Sequence, residues 1–507
     1  MISMSSFLTG LNWGILFYFL AVNVFYLVLL GCAALEMRRH LLRIRQERRW
    51  RVLGSGAAPT LSVIAPAHNE AATVAESVRA LLTLAYPNLE VVLVNDGSSD
   101  DTLALLEQEF ELAPIHPIYR RRIEHAEVRG LYRSSVKPNL VVVDKHNGGK
   151  ADALNAGLNV ASGELVCAID ADTLIEPDAL LRMARPFLDG SDVLAAGGTV
   201  RVANGASVKA GRVIVARAPR HALAGIQTVE YLRAFLFGRL GWNRLGGNLI
   251  ISGAFGLFRR EPVIAAGGYR HDTVGEDMEL VVRLRRQGAE RGTSQRIEFI
   301  PDPVAWTEAP ESLRVLGRQR DRWQRGLAEV LWRHRHVMLR PRYGTLGLVA
   351  FPYFVLVELL APVIELVGLI GLGMGLAVGA VDGSFALLFF LVAYGFGVLL
   401  TCLTLVLDEL SFPRYGHVRD RLVLVPWAVL ESLGYRQLTV YWRLRGLGKY
   451  LGGRKDWGVM TRTGFAAKAE LPGDGSVPAP CAFSHDGPSA RASASPSGSR
   501  ASGTTTR

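Results

Sequence analysis

The segment ELVCAIDADTLIEP (Glu164–Pro177) carries an apolar run, Leu165–Ile169, that ends in a carboxylate, a small residue and a second carboxylate, Asp170-Ala171-Asp172. A short apolar run bounded by turn signals reads as a strand buried on both faces, the pattern of a parallel sheet covered by helices. Side chains at i and i+2 of a strand point to the same side, so Asp170 and Asp172 can face one spot. Two like charges so close repel unless a cation lies between them. An oxygen-only pair of this kind suits Mg²⁺ or Mn²⁺ shared with substrate phosphates. Taken alone, the pair also reads as solvated turn residues leading into the next helix.

The same alternation recurs on the N-terminal side. LSVIAPA precedes a helical pattern at Ala71–Leu84, LEVVLVND precedes Asp101–Glu111, LVVVDK precedes Ala151–Val160, and ELVCAID precedes Pro177–Leu188. Apolar strands separated by helices predict an α/β domain with a mostly parallel sheet over residues 60–340. Ligands of such sheets sit at the carboxyl ends of the strands, so polar residues there carry the most information. The first strand ends in His68-Asn69-Glu70 and the second in Asn95-Asp96-Gly97, with Ser98–Asp101 capping the next helix. Glu70 and Asp96 are therefore candidates to hold a nucleoside, beside Asp170 and Asp172 as metal ligands. DKHNGGKADALN (Asp144–Asn155) places Lys145 and Lys150 around a glycine turn at a helix start, where backbone N–H groups and a lysine can hold an anion. It lacks the spacing of a P-loop.

The rest of the chain is membrane-like. Of 507 residues, 49% are hydrophobic, and the formal charge is +11. The arginines crowd beside apolar runs, as in RRHLLRIRQERRWR (Arg38–Arg51) and WRLRGLGKYLGGRK (Trp442–Lys455). Basic clusters there mark the cytoplasmic margins of membrane spans and argue against nucleic acid as a partner. The cysteines Cys32, Cys167, Cys402 and Cys481 have no metal-like spacing and fit a reduced, cytosolic setting.

Trp13–Leu35 is charge-free and long enough for one span, which predicts an N-terminal transmembrane helix over 1–36 with its amino end outside. A basic linker, 37–59, follows. The region 341–465 is expected to hold spans at about 346–378 and 385–407, then an amphipathic run at 422–442 that lies in the interface or forms a third span. Glu358 and Glu365, seven residues apart, are expected to share one helical face, turned to a protein interior or a watery path. The tail 466–507, rich in Ser, Pro, Gly and Ala, is expected to be disordered. A plasma or inner membrane location with a cytoplasmic catalytic domain follows.

Two more segments complete the set: GEDMEL (Gly275–Leu280) after a glycine-rich loop, and QRDRW (Gln319–Trp323) in a helical stretch expected at 311–333. With PAHNE, VNDGSSDDT, NGGKADALN and the Asp170–Asp172 pair, their order resembles the family-2 glycosyltransferases. The resemblance is to the membrane-embedded branch of hyaluronan, chitin-oligosaccharide, poly-N-acetylglucosamine and cellulose synthases, and it covers roughly Thr60–Trp332. It implies a nucleotide-diphospho-sugar transferase (GT-A-like) fold, a UDP-sugar donor, a saccharide acceptor and a bilayer setting. Asp277, with Glu276 beside it, is implied as general base. Gln319, Arg322 and Trp323 would meet the diphosphate and a sugar ring, and Ser252 and Gly253 of ISGAFGLFRRE would leave room for the acceptor. An acidic helix start and a surface-lying amphipathic helix are the plainer readings of these last two motifs.

The expected function is inverting transfer from a UDP-sugar to a growing saccharide by a processive polysaccharide synthase. The alternatives are a non-processive transferase acting on a lipid carrier and a non-catalytic nucleotide-sugar-binding membrane protein. So few spans suggest that a second copy or an accessory membrane subunit would complete any channel.

Overall fold

The computed structural model describes residues 4–44, 58–116, 118–170, 173–190, 192–293, 295–412 and 418–453. Asp172, most of the 37–59 linker and the 466–507 tail lie outside the described residues.

Twelve strands are described: β1 (Leu61–Ala67), β2 (Leu89–Asp96), β3 (Leu112–Pro114), β4 (Val128–Ser134), β5 (Leu140–Lys145), β6 (Leu165–Ile169), β7 (Leu174–Ile175), β8 (Val193–Val202), β9 (Ser207–Lys209), β10 (Arg212–Val215), β11 (Phe255–Arg259) and β12 (Arg296–Thr307). Ten of them form one sheet in the order β3-β4-β5-β2-β1-β6-β11-β8-β12-β7. The run β5-β2-β1-β6 is parallel, as the strand–helix alternation predicts, with Leu61 opposite both Leu89 and Leu165. β11 runs antiparallel between β6 and β8, and β8 pairs parallel with β12.

Alternate residues of each central strand serve opposite faces, which is why these strands are apolar throughout. Val91 and Leu93 pack with Val74, Val78 and Leu106 of the helices Val74–Leu82 and Thr102–Phe110. Val92 and Val94 pack on the other face with Ala153 and Leu154 of the helix Lys150–Val160. With both faces covered, the polar groups at the carboxyl ends of β1, β2 and β6 come together at one edge.

Among the described residues two helices, Met4–Arg43 and Gly383–Ser411, are long and apolar enough to cross a membrane, and Leu346–Leu359 with Ala361–Ala377 forms a pair bent by 46°. The first helix runs from Met4 to Ile44, straight through the expected boundary at residue 36. Its amino-terminal half packs on the later apolar helices: Asn12 Nδ2 donates to the Gly371 carbonyl (3.0 Å) and Asn23 Nδ2 to that of Val392 (2.7 Å). Its carboxyl-terminal half enters the same core as the sheet through Leu29, Ala33 and Met37.

The C-terminal charges depart from expectation. Glu358 and Glu365 do not share a continuous helical face, because the bend at Leu360 separates them. Each instead meets an arginine of the helix Arg436–Leu451: Glu365 pairs with Arg436 at 2.9 Å and Glu358 with Arg443 at 3.7 Å. The arginines are also seven residues apart, in reverse order, so the two stretches run antiparallel. The run expected at 422–442 breaks at Leu433 and Gly434, the latter at φ 89°. Glu431 from that run is buried and pairs with Arg233 at 2.5 Å.

Candidate active site

The site begins where β1 and β2 end. Asn69 adopts a left-handed conformation (φ 56°), and its Oδ1 accepts the Ser99 N–H (2.8 Å), while Ser98 Oγ accepts the Asn69 N–H (3.0 Å). The cap of the following helix comes from Asp100 and not Asp101: its Oδ1 accepts the Thr102 N–H at 3.1 Å and its Oδ2 the Ala71 N–H at 3.1 Å. Glu70, half-buried, accepts from Thr73 Oγ1 at 2.9 Å.

Asp96 is tied to the glycine turn. Its Oδ1 accepts the Gly148 N–H (3.0 Å) and its Oδ2 the Gly149 N–H (2.8 Å), and Lys145 Nζ lies 2.5 Å from Oδ1. Lys145 is fully buried between Asp96 and Asp152, 2.6 Å from the latter. Of the two lysines around the turn, Lys145 is thereby withdrawn from any anion. Lys145 neutralises two buried carboxylates, and only Lys150 reaches the edge. Asp96 therefore shapes the turn that presents Lys150, whatever it also contributes to a nucleoside.

Lys150 Nζ lies 2.5 Å from Asp170 Oδ1 and 3.7 Å from Glu276 Oε1. Asp277 is oriented by two backbone donors: the Gly253 N–H to Oδ2 (3.2 Å) and the Met278 N–H to Oδ1 (2.7 Å). A methyl group on Gly253 would stand 3.2 Å from Lys150 Nζ and 3.4 Å from Asp277 Oδ2, so the Ser252-Gly253 turn closes over both. The structure thus brings together Lys150, Asp170, Gly253, Glu276 and Asp277, from four separate motifs. Tyr269 and Ile251 line the small hollow beside them.

Burial pulls the Lys150 ammonium down, but Asp170, Glu276 and Asp277 outweigh it and hold it above its ordinary range. Burial pushes the Glu276 carboxyl up, against the pull of Lys150 and with the push of Asp277. The donor set is all oxygen, with Asp170 partly open to solvent at 26% exposure. That chemistry fits a hard cation that takes most of its ligands from phosphate oxygens and water. Among the described residues no cluster of three His, Cys, Asp or Glu side chains stands ready as a self-sufficient metal cage.

The helix Leu313–Arg333 carries QRDRW and touches the Glu276 helix through glycine. A methyl group on Gly275 would stand 3.2 Å from the Gly326 Cα. Glu329 Oε2 accepts the Val274 N–H (3.3 Å) and Arg333 pairs with Asp272 (3.1 Å), fixing the loop ahead of Asp277. Trp323 lies one turn before Gly326 and is 44% exposed, with the Arg320 guanidinium 4.4 Å above its ring. Arg320 itself pairs with Glu230 at 2.6 Å. Gln319 Oε1 is buried without a hydrogen-bond partner, and Arg322 is half-buried. Asp321, the middle residue of the motif, is buried and takes Lys449 (2.5 Å) and Arg445 (3.2 Å) from the C-terminal helix. Sequence reasoning passed over Asp152, Tyr269, Asp272, Asp321 and Gly326. The cue available was that each lies inside or beside a motif already noted.

A nucleotide-sugar transferase domain is what this sheet and edge define, and comparison agrees. Residues 62–265 match glycosyl transferase family 2 and residues 165–400 match glycosyl transferase family group 2. The chain carries a family-2 glycosyltransferase domain. It is 29% identical over 290 residues to the poly-beta-1,6-N-acetyl-D-glucosamine synthase of Staphylococcus aureus (strain COL), covering 57% of this chain and 58% of that protein. It is 30% identical over 273 residues to the same-named synthase of Staphylococcus epidermidis, covering 54% and 56%. The chain thus spans under two thirds of the length of these curated relatives. Among solved structures, a mannosyltransferase from Pyrobaculum calidifontis in complex with GDP-Man and Mn²⁺ aligns over 81% of this chain and 99% of its own, at 21% identity and a TM-score of 0.46.

Proposed function

We propose that this glycosyltransferase is a membrane-embedded polysaccharide synthase that transfers a sugar, with inversion, from a UDP-sugar to a growing saccharide. The observation that carries the reading is the cluster at the carboxyl edge, where Asp277 stands beside Lys150 and Asp170 under the Ser252-Gly253 turn. The likeness to poly-N-acetylglucosamine synthases supports a polymer product and N-acetylglucosamine as the sugar. The apolar helices and the basic clusters beside them support a multi-pass protein with its catalytic domain in the cytoplasm.

In this reading Glu70 and Asp96 hold the nucleoside side of the edge. Asp170, with Asp172, would hold a Mg²⁺ or Mn²⁺ ion, which when bound supplies positive charge against the diphosphate. Lys150 exchanges its pairing with Asp170 for the donor's phosphate oxygens. Asp277 takes the proton of the acceptor hydroxyl as its oxygen bonds to the anomeric carbon and the bond from that carbon to the diphosphate oxygen breaks, releasing UDP. The backbone donors on both Asp277 oxygens hold the carboxylate in one orientation. Arg322 and Gln319 face the leaving diphosphate, and Trp323 offers an apolar face to a sugar ring.

The testing experiment is UDP release and product mass from membranes holding the full chain, across a panel of UDP-sugars. A polymer from one UDP-sugar supports the proposal. A product one residue longer than its acceptor points to the non-processive reading, and no UDP release from any donor overturns both.

A further inference from the structure

A second cleft, of about 550 Å³, opens beside β4, on the far side of β5 from β2, between that strand and the loop that precedes it. Its lining includes Tyr119, Arg121, His125, Glu127, Arg129 and Tyr132. His125 is 6% exposed, and its Nδ1 lies 2.7 Å from the Ala126 carbonyl. A carbonyl only accepts, so Nδ1 carries the proton and Nε2 of the neutral ring is an acceptor, buried and without a partner. A hydroxyl within reach would satisfy that acceptor, whereas a bare phosphate oxygen would not.

The remaining lining suits the same kind of ligand. The rings of Tyr119 and His125 lie 6.2 Å apart, tilted by 33°. Tyr132 folds back along β4 over Gly130, where a Cβ would stand 2.7 Å from the phenol oxygen. Both guanidiniums already hold carboxylates: Arg129 that of Asp144 (2.6 Å) and Arg121 that of Glu124 (2.7 Å). Aromatic faces, a lone acceptor and guanidiniums already paired favour a neutral polyhydroxyl ligand over an anion.

The cleft is also wired to the catalytic edge. The Glu127 carbonyl accepts the His146 N–H (3.0 Å), and Asp152 accepts the Ala126 N–H (2.9 Å). Asp144, held by Arg129, accepts from Asn95 Nδ2 at 2.7 Å. The stretch lining the cleft therefore grips the turn that presents Lys150 at both of its ends. We propose that this cleft binds a neutral saccharide, and that its occupancy steadies the Lys150 turn and raises turnover. The identity of the sugar, though not the chemistry of the cleft, rests on the function proposed above.

The test is titration of the full chain carrying Asp277→Asn, in nanodiscs, with N-acetylglucosamine oligosaccharides, cello-oligosaccharides, UMP and inorganic phosphate. Binding is read by calorimetry. The expected result is oligosaccharide binding that Tyr119→Ala and His125→Phe each weaken at least tenfold and that His125→Gln, which keeps an acceptor, largely retains. In chains with Asp277 intact, the same two variants should leave UDP release without added saccharide unchanged and abolish its stimulation by saccharide. Affinity unchanged by Tyr119→Ala, binding of UMP or phosphate in place of saccharide, or no binding at all overturns the proposal. Because the titration needs no turnover, a chain that binds saccharide in the cleft yet releases UDP from no donor sinks the synthase reading alone.

Discussion

Gly275 and Gly326 face each other backbone to backbone: a methyl group on Gly326 would stand 3.1 Å from the Cα of Gly275. This contact sets how closely the helix bearing Gln319, Arg322 and Trp323 approaches the loop that ends in Glu276-Asp277. The neighbour is main chain, so it cannot swing aside as a flexible side chain would. Gly326→Ala is expected to cost about 1–3 kcal/mol of stability by overpacking. By displacing Asp277 it should also lower kcat for UDP release on the order of 100-fold. Circular dichroism with turnover assays checks both, and wild-type activity in the variant would show that the close approach is incidental.

Lys150 supplies positive charge at the edge, between Asp170 and Glu276. Replacing it with Met leaves Asp170, Glu276 and Asp277 repelling one another without the ammonium between them. A loss of about 100-fold or more in kcat/KM is expected, in line with removal of one preorganised charge from a transferring group. Lys145→Met should behave differently, because Lys145 is buried between Asp96 and Asp152. It should lower the melting temperature as well as activity, since two carboxylates lose their counterion. Equal melting temperatures for the two variants would contradict this division of labour.

These two lysines show what the sequence could and could not say. Both sit beside the same glycine turn and look alike in the string. Lys145 is withdrawn only because Asp96 and Asp152, from different elements, converge on it. By contrast β1, β2 and β5 were legible residue for residue, since each is an apolar run that ends in a polar turn. The antiparallel insertion of β11 between β6 and β8 has no local signature, because pairing partners lie far apart in the chain. Glu358 and Glu365 looked like one face because seven residues is two turns of a straight helix. The bend at Leu360, just ahead of Pro362, removes that premise.

The pH response of Glu276 follows from its burial. Its folded-state affinity for a proton lies above the ordinary carboxylate range. Between that range and its raised value, the folded chain keeps a proton that the unfolded chain has released. Stability from this group therefore falls as pH rises through the window, by up to about 1.4 kcal/mol per pH unit. Melting temperatures of wild type and Glu276→Gln across that window should converge on acidification and diverge, with the variant higher, as pH rises. A constant difference would show that Glu276 titrates normally.

The pairs Glu365–Arg436 and Glu358–Arg443 clasp the bent apolar pair to the C-terminal helix. Arg436→Met leaves Glu365 buried without its partner, at an expected cost of about 3–5 kcal/mol. The double variant Glu365→Leu with Arg436→Met should recover most of that loss. Melting curves in detergent around this mutant cycle decide, and additive losses would mean the two residues do not act as a pair.

Asp277→Asn is the most direct test of the central claim, because it removes the proton acceptor while keeping the size of the side chain and an oxygen for one of the two backbone donors. With purified full chain in nanodiscs, UDP-sugar affinity and UDP release are measured on the same sample. The expected result is donor affinity within a few-fold of wild type and UDP release lowered about 100- to 10,000-fold. Polymer formation at the wild-type rate would contradict the assignment of Asp277 as the base, and with it the mechanism built on this edge.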